Sequence, residues 1–167
     1  MDFMELCKAR YSARSYTSRK VEDDKLNAIL EAGRLAPTAA NLQPQKIIAV
    51  RSEDGLKKLG EAANIYGAPL ALIMCADKTK AWKRPFDGKL TTDIDASIIT
   101  DHMMLEAADL GLGSVWICYF KPDILRKNFN IPDNIEPVNI LAVGYADDNP
   151  LAKEKDRKPL ADTVIWE

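Results

Sequence analysis

The residues best suited to chemistry lie near the amino terminus, where Arg10, Ser12 and Arg14 occupy alternating positions. In an extended backbone, alternating side chains leave from the same face, so two guanidinium groups and one hydroxyl would project together. Such a set suits a phosphate or another anionic, oxygen-rich group, because arginine presents several donors in a fixed planar fork. We therefore interpret this segment as a candidate anion site.

A second basic cluster, formed by Lys155, Arg157 and Lys158, lies near the carboxyl terminus. Taken alone, either cluster is typical of a solvated surface or an ion-pair network. Two clusters that are far apart in sequence can still converge on one phosphate. The net charge of -2 disfavours nucleic acid and anionic membranes as partners, since such binding needs many accumulated cations. Basic residues are therefore expected to act locally.

A polar loop separates a predicted helix from the first predicted strand. Thr38 offers a hydroxyl, Asn41 and Gln43 offer amides, and Pro37 and Pro44 restrict the backbone at the two ends. These groups suit contact with a flat, polar ligand. The simpler alternative is a connector punctuated by prolines.

Other common functional motifs are missing. There is no Walker or GxGxxG pattern, and the one Gly-x-Gly, at Gly111 and Gly113, ends a helix instead of following a strand. The single histidine, His102, and three scattered cysteines predict no metal site, no nucleophilic triad and no disulfide framework. No catalytic residue is assigned. The unpaired cysteines favour a reducing, cytoplasmic setting, and no apolar run approaches the roughly 20 residues that span a bilayer.

The elements that would position these residues form a single domain over residues 1–167, which is long enough for one well-buried core. Periodicity and capping signals predict helices at 2–10, 23–36, 52–63, 92–110 and 122–128, and strands at 46–50, 69–76, 113–120 and 138–144. The strand at 69–76 is apolar at nearly every position, which predicts a sheet covered by helices on both faces.

Finer features of this plan are also predicted. Asp23 or Asp24 should cap the second helix, and Thr92 with Asp95 should form a capping box that opens the long fourth helix, with Asp95 on its polar side. The predicted apolar stripe of the fourth helix consists of Ile94, Ile98, Leu105 and Ala108. Residues 77–90 read as a surface excursion at a substrate entrance. The apolar residues 164–166 should dock on something, such as a second subunit.

In chain order, these motifs resemble the FMN-dependent nitroreductase family, and they cover nearly the whole sequence. The motifs are Arg10-x-Ser12-x-Arg14-x-Tyr16, Ala36-Pro37-Thr38-Ala39-Ala40-Asn41-x-Gln43-Pro44, Gly111-Leu-Gly113-Ser-x-Trp116, Val143-Gly144-Tyr145 and Arg157-Lys-Pro-Leu160. The resemblance implies an α+β fold with a mostly antiparallel central sheet sandwiched by helices. It also implies an intertwined homodimer with two flavin sites at the interface.

The resemblance assigns the cationic residues to the FMN phosphate and ring. Arg10 and Ser12, with Tyr11 between them, match positions that hold the phosphate and the ribityl chain. Arg14 matches a cation near the pyrimidine edge of the flavin. Arg157 matches a late basic residue that reaches the phosphate.

Two further segments match cofactor contacts. The backbone around Trp116 and Ile117 is similar to the strand that approaches flavin N5. The polar loop matches the segment that packs on the flavin from the partner subunit, and its residues are Pro37, Thr38, Ala39 and Asn41, with Gln43 close by. Thr38 replaces a serine that is commoner in the family but keeps the hydroxyl.

The function implied is an FMN-dependent oxidoreductase that takes reducing equivalents from NAD(P)H and passes them through flavin N5 to an acceptor such as a nitroaromatic or a quinone. The two half-reactions would follow a ping-pong scheme, and no protein acid or base is required. Alternatives are another electron donor, an activated-alkene substrate, a non-catalytic FMN-binding or redox-sensing module, and an interaction protein without flavin. The chain is too short for the helical lid of larger relatives, and residues 77–90 are its only evident replacement.

Overall fold

The computed structural model describes residues 2–147 and 155–167, which form five α-helices and one four-stranded sheet. The helices are α1 (Phe3–Ala9), α2 (Asp23–Leu35), α3 (Glu53–Ala62), α4 (Thr92–Asp109) and α5 (Pro122–Phe129). The strands are β1 (Gln45–Val50), β2 (Leu70–Asp77), β3 (Gly113–Ile117) and β4 (Ile135–Gly144).

The sheet has the order β1-β2-β4-β3, and each neighbouring pair is antiparallel. All eight residues of β2 are buried, as the apolar run predicted. The predicted α+β class with a mostly antiparallel sheet is therefore confirmed. Strands β1 and β3 are the two edges, so the segments that lead into them lie on opposite sides of the fold.

Helices cover both faces of the sheet. On one face, Leu59 of α3 and Leu125 of α5 pack with Ile73 of β2. On the other face, Ile29 of α2 and Met103 of α4 belong to a second buried cluster with the alternate β2 residues. The strand period of two sends successive β2 side chains into different cores, which confirms the predicted sandwich.

Helices α2 and α4 approach closely at Gly33. A methyl group built there would lie 2.8 Å from Cγ of Met103, whose side chain is fully buried. The missing side chain thus lets the two helices touch, which fixes α4 against the sheet.

The helix caps agree only in part with the prediction. Ser52 caps α3 by accepting from the Gly55 N–H at 3.1 Å, as expected. The cap predicted for α2 is wrong, because the helix begins after Glu22, whose carboxylate bonds to Tyr145 and Arg19 and makes no cap hydrogen bond.

The predicted orientation of α4 is wrong. In the predicted stripe, Ile94 is 46% exposed, Leu105 and Ala108 are only half-buried, and Ile98 lies at the margin of the core. The inner face contains Ile99 and Met103 together with polar residues. Apolar and acidic residues occur on both the inner and the outer face of α4, so its periodicity did not distinguish the two faces.

Two peripheral segments complete the fold. Residues 78–90 run over the surface, where Lys83 and Leu90 form a bridge and the Arg84 N–H donates to the Lys89 carbonyl at 2.9 Å. This confirms the predicted excursion as an ordered hairpin. At the carboxyl terminus, Ile165 and Trp166 are almost fully exposed, so they do not dock on the described part of their own chain.

Candidate functional site

A cleft of about 440 Å³ lies between α1, α4 and the carboxyl-terminal segment. It contains four cations and a single carboxylate. Its lining residues are Phe3, Cys7, Lys8, Arg10, Asp101, Leu105, Lys155 and Arg157. The two basic clusters, which are far apart in sequence, therefore contribute to one cleft, although Lys158 does not line it.

Local contacts hold two of these cations in place. Arg10 follows the last turn of α1, its N–H donates to the Leu6 carbonyl at 2.9 Å, and its guanidinium lies 3.9 Å from Sδ of Met104. The Lys155 ammonium donates to the Cys7 carbonyl. Both residues are half-buried, so the chain keeps two cations close together at the mouth of one cleft.

The electrostatics of the cleft favour an anion. Burial lowers the pKa of Lys155, and the positive charges of Arg10 and Arg157 lower it further. Like charges held near one another oppose each other until an anion binds between them. The cleft therefore favours a negatively charged group.

The segment after Arg10 runs along the outer edge of β3. Ser12 forms a parallel bridge with Ser114, and the Ala13 N–H donates to the Ser114 carbonyl at 3.0 Å. Ala13 is fully buried while Arg14 is exposed, which agrees with alternating side chains in an extended backbone.

This segment reaches a second, adjoining cleft. Arg10 and Tyr11 help to line a space of about 280 Å³ that extends to Gly113 and Ser114. Neither Ser12 nor Arg14 lines this space or the larger cleft. The Arg14 guanidinium instead donates to the Ser12 carbonyl at 3.3 Å.

An ion-pair cluster holds the chain just beyond this segment. Glu22 accepts from the Tyr145 hydroxyl at 2.7 Å and from Arg19 at 2.6 Å, and the Arg19 guanidinium lies 3.8 Å from the centre of the Tyr145 ring. The hydrogen bond from Tyr145, followed by that from Arg19, lowers the pKa of Glu22 to about 2.

The polar loop at the other edge of the sheet has a strained backbone. Ala40, Asn41 and Gln43 have positive φ values of 50°, 54° and 49°. For residues other than glycine, each such conformation costs on the order of 1 kcal/mol or more. Strain of this kind persists only where surrounding contacts hold the loop, and it is concentrated at functional sites.

Most of the loop is accessible. Pro37, Asn41 and Gln43 are exposed, while Thr38 and Ala39 are half-buried. The Thr38 hydroxyl accepts from the Gln43 N–H at 3.1 Å, which closes the loop internally. The Gln43 amide donates to the Asn41 carbonyl at 3.3 Å.

Asp95 anchors the loop, which the sequence analysis missed. The residue is 1% exposed, and its carboxylate accepts from the Ala39 N–H at 2.8 Å and from the Thr91 hydroxyl at 2.9 Å. The capping box predicted for Thr92 and Asp95 is wrong, because α4 begins after Thr91 and has no side-chain cap bond. The four-residue spacing of Asp95, Ile99 and Met103 was the available signal that Asp95 faces inward.

The two residues at the end of β3 that were predicted to approach the cofactor are Trp116 and Ile117. The Ile117 side chain is buried in the core on the α3 and α5 face, and Trp116 packs half-buried on the opposite face. The Ile117 side chain is therefore not available to a ligand. The exposed residue Cys118 follows directly.

One chain does not bring the loop and the cationic segment together. The loop enters β1 at Gln45, which is level with Glu136 of β4, whereas the cationic segment lies beside Ser114 of β3, which is level with Val143 of β4. Seven residues along the strands and four strand spacings, the last of them between β3 and the segment, separate Gln45 from Ser12, which corresponds to about 30 Å. The loop and the cationic segment therefore lie at opposite edges of the sheet.

The described residues offer no cluster of metal ligands and no membrane-spanning helix. No group of three or more histidine, cysteine, aspartate or glutamate side chains is arranged to hold a metal ion in that part of the chain. Among the same residues, no helix combines the length and the apolar character needed to cross a membrane.

Comparisons with known proteins agree with this architecture. A curated relative from Archaeoglobus fulgidus, named for NADH dehydrogenase and NAD(P)H nitroreductase activity, is 35% identical over 153 residues that cover 87% of this chain and 86% of the relative. The FMN reductase [NAD(P)H] of Bacillus subtilis is 29% identical over 163 residues, which cover 86% of this chain and 66% of that protein.

A solved structure gives the same result for the fold. A nitroreductase family protein from Clostridium difficile 630 superimposes with a TM-score of 0.96 at 55% identity, covering 100% of this chain and 99% of that one. The sequence profile described as the nitroreductase family matches residues 7–65 and 57–145. The chain therefore belongs to the nitroreductase family.

Proposed function

We propose that this protein is an FMN-dependent oxidoreductase that takes reducing equivalents from NAD(P)H and passes them to a small-molecule acceptor such as a nitroaromatic or a quinone. The observation that carries the proposal is the convergence of Arg10, Lys155 and Arg157 on one cleft. Membership in the nitroreductase family and the names of its relatives support the same cofactor and electron donor.

The cleft suits the phosphate of FMN. Arg10 and Lys155 are half-buried cations with fixed surroundings, and Arg157 adds a third charge at the rim. Charge-assisted hydrogen bonds to phosphate oxygens are among the strongest polar contacts in proteins. These three residues would therefore hold the phosphate, and the neighbouring residues Tyr11 and Ser12 would meet the ribityl chain.

When bound, FMN supplies the redox chemistry by accepting and returning electrons at N5. The protein's task is then to bind, orient and polarise the cofactor. We assign Arg14 to the pyrimidine edge, where a cation favours uptake of electrons by the ring. The backbone around Trp116 and Ile117 would lie beside the reacting edge, and no side chain is assigned as an acid or base.

The polar loop would complete the site from a second copy of the chain. The loop and the cationic segment lie at opposite edges of one sheet, which supports a site that two chains share. Pro37, Thr38, Ala39, Asn41 and Gln43 would therefore pack on the flavin of a partner subunit. The partly exposed apolar stripe of α4 gives such a homodimer a hydrophobic surface to bury.

The test is the visible absorption spectrum of the purified protein, recorded under nitrogen before and after addition of NADH or NADPH. We expect flavin bands that bleach with a nicotinamide and return when a nitroaromatic or a quinone is added. Bands that persist would indicate another donor or a non-catalytic flavin binder. A colourless protein that takes up no added FMN would refute the proposal.

Steady-state kinetics test the ping-pong order. Donor and acceptor are varied together, and parallel double-reciprocal lines are expected because the donor product leaves before the acceptor enters. Intersecting lines would show that both substrates bind at once. Dilution should release FMN from the protein if two chains build each site, since a monomer then lacks half of the contacts.

The three cysteines, at positions 7, 75 and 118, are all unpaired. Free thiols persist in a reducing compartment, so we place the protein in the cytoplasm.

A further inference from the structure

We infer that Asp95 is the positioning residue that holds the flavin-contacting loop in its strained conformation and joins it to the surface hairpin of residues 78–90. The inference rests on the proposed function, because that function gives the loop its role. It adds a buried residue that touches neither the cleft nor the exposed face of the loop.

The contacts of Asp95 are unusual for a buried carboxylate. Its Oδ1 accepts from the Ala39 N–H at 2.8 Å and its Oδ2 accepts from the Thr91 hydroxyl at 2.9 Å. No cation of the described residues forms an ion pair with it, although its side chain is almost fully enclosed. A buried carboxylate needs donors, so the loop amide and the threonine hydroxyl are its partners in place of an arginine or lysine.

The loop needs such an anchor because its backbone is strained. Ala40, Asn41 and Gln43 all have positive φ values, and no glycine relieves them. Ala39 directly precedes this stretch, and its N–H donates to the carboxylate of Asp95, which lies in the first turn of the 18-residue helix α4. Loss of this hydrogen bond would leave the Ala39 N–H without its carboxylate partner. The loop could then relax toward ordinary backbone angles.

The same carboxylate links the loop to the surface hairpin. The Thr91 hydroxyl that donates to Asp95 also lies 3.2 Å from the Trp82 carbonyl, and the Thr91 N–H donates to that carbonyl at 3.0 Å. Thr91 thus closes the base of the hairpin and contacts the anchor of the loop. Movement of the hairpin is therefore coupled to the loop through one hydrogen-bonded unit.

Two substitutions at Asp95 separate its roles. Asp95→Ala removes both acceptors. Asp95→Asn keeps an acceptor for the Ala39 N–H, and its amide can donate to Thr91, whose hydroxyl then turns to the Trp82 carbonyl. We expect Asp95→Ala to weaken FMN binding about tenfold or more and Asp95→Asn to stay within about twofold of the wild type.

Thr100→Val is the matched control. Thr100 is fully buried on the same helix, and its hydroxyl donates to the Ala96 carbonyl at 2.7 Å, but it has no contact with the loop. This variant loses buried hydrogen bonding without releasing Ala39. We expect it to lower stability while leaving FMN affinity unchanged.

A second readout requires no flavin. Hydrogen exchange of the amides in residues 38–43 is followed by mass spectrometry in the apo protein, and exchange should accelerate in Asp95→Ala but not in Asp95→Asn or Thr100→Val. If the wild type binds no FMN, the proposed function fails, and this measurement still decides whether Asp95 holds the loop.

Ala39→Pro tests the same bond from the surface side and serves if Asp95→Ala does not fold. It deletes the donor N–H, and Thr38, with φ of -130° and ψ of 156°, already has the backbone that precedes proline. In the double variant, exchange of the amides in residues 38–43 should be no faster than in the faster single variant, because both substitutions remove the same hydrogen bond. If the two substitutions accelerate this exchange additively, the inference is overturned. The inference is also overturned if amide exchange is unchanged in Asp95→Ala, or if Asp95→Ala and Thr100→Val lose the same FMN affinity.

Discussion

Replacement of Arg10 by glutamine should weaken FMN binding selectively at the phosphate. The guanidinium is half-buried, is fixed by the end of α1 and lies against Met104, so its side chain loses little freedom when an anion binds. Removal of a hydrogen bond to a charged group costs about 1.5 to 3 kcal/mol. That range corresponds to a loss of about 10- to 150-fold in affinity.

The same reasoning ranks the other cations of the cleft. Arg157 is exposed, and solvent screens its charge, so Arg157→Gln should fall at or below the lower end of that range. The Lys155 ammonium is already shared with the Cys7 carbonyl, which leaves fewer of its donors for a phosphate. Arg10→Gln is therefore expected to have the largest effect of the three.

The assay is a fluorescence titration of the apo protein with FMN and, separately, with riboflavin, which lacks the phosphate. Arg10→Gln should lose affinity for FMN and keep its affinity for riboflavin. The matched control is Arg51→Gln, which removes an exposed arginine that pairs with Asp23 and lines a different cleft. An equal loss of riboflavin affinity would refute the assignment of Arg10 to the phosphate, as would an unchanged affinity for FMN.

Three further results are expected from thermal, acid and chemical probes. In thermal melts, Gly33→Ala should destabilise the fold by about 1 to 3 kcal/mol, because its methyl group overpacks against α4. The control Gly60→Ala has nothing within 4 Å of the new methyl and should stabilise α3 by about 0.5 to 1 kcal/mol. Because the pKa of Glu22 is lowered from 4.5 to about 2, its contribution to stability is complete above pH 4.5 and disappears as the pH falls toward 2. Between pH 4.5 and 2, the urea midpoint of Glu22→Gln should therefore change less than that of the wild type. If the midpoints of both proteins change in parallel with pH, the hydrogen bonds of Glu22 to Tyr145 and Arg19 are contradicted. Burial raises the pKa of the Cys75 thiol to about 12, so iodoacetamide at neutral pH should label the exposed Cys118 and spare Cys75, as peptide mass spectrometry would show.

Much of the fold could be predicted from local sequence, because its strongest elements have clear signals. The uninterrupted apolar run of β2 predicted a strand buried on both faces, and the Ser52 cap predicted the start of α3. The strand ends were less accurate. β3 stops at Ile117, short of the predicted Phe120, because the Lys121 N–H donates to the Ala62 carbonyl and the chain turns away from the sheet.

Helix α4 marks the limit of periodicity as evidence. Ile94 and Ile98 were grouped in one apolar stripe, yet Ile94 is exposed and Ile98 is only partly buried, whereas Asp95, predicted on the polar side, is buried. An apolar stripe shows that a surface will be covered without showing whether the sheet or another chain covers it. The inner face was decided by the close approach of α2 at Gly33 and by the amide of Ala39, neither of which is local to α4.

The sequence by itself determined which chemical groups are available: the alternating cations and hydroxyl of residues 10–14, the polar loop and the late basic cluster. Tertiary structure alone decided which of them meet. It brought Lys155 and Arg157 to Arg10, and it put the loop at the opposite edge of the sheet, because strand order, which depends on long-range pairing, separates β1 from β3. It also placed Asp95 beneath the loop, where the carboxylate accepts a hydrogen bond from the Ala39 N–H. A buried carboxylate can accept from any nearby donor, so the spacing of residues along the chain does not predict which donor it will be.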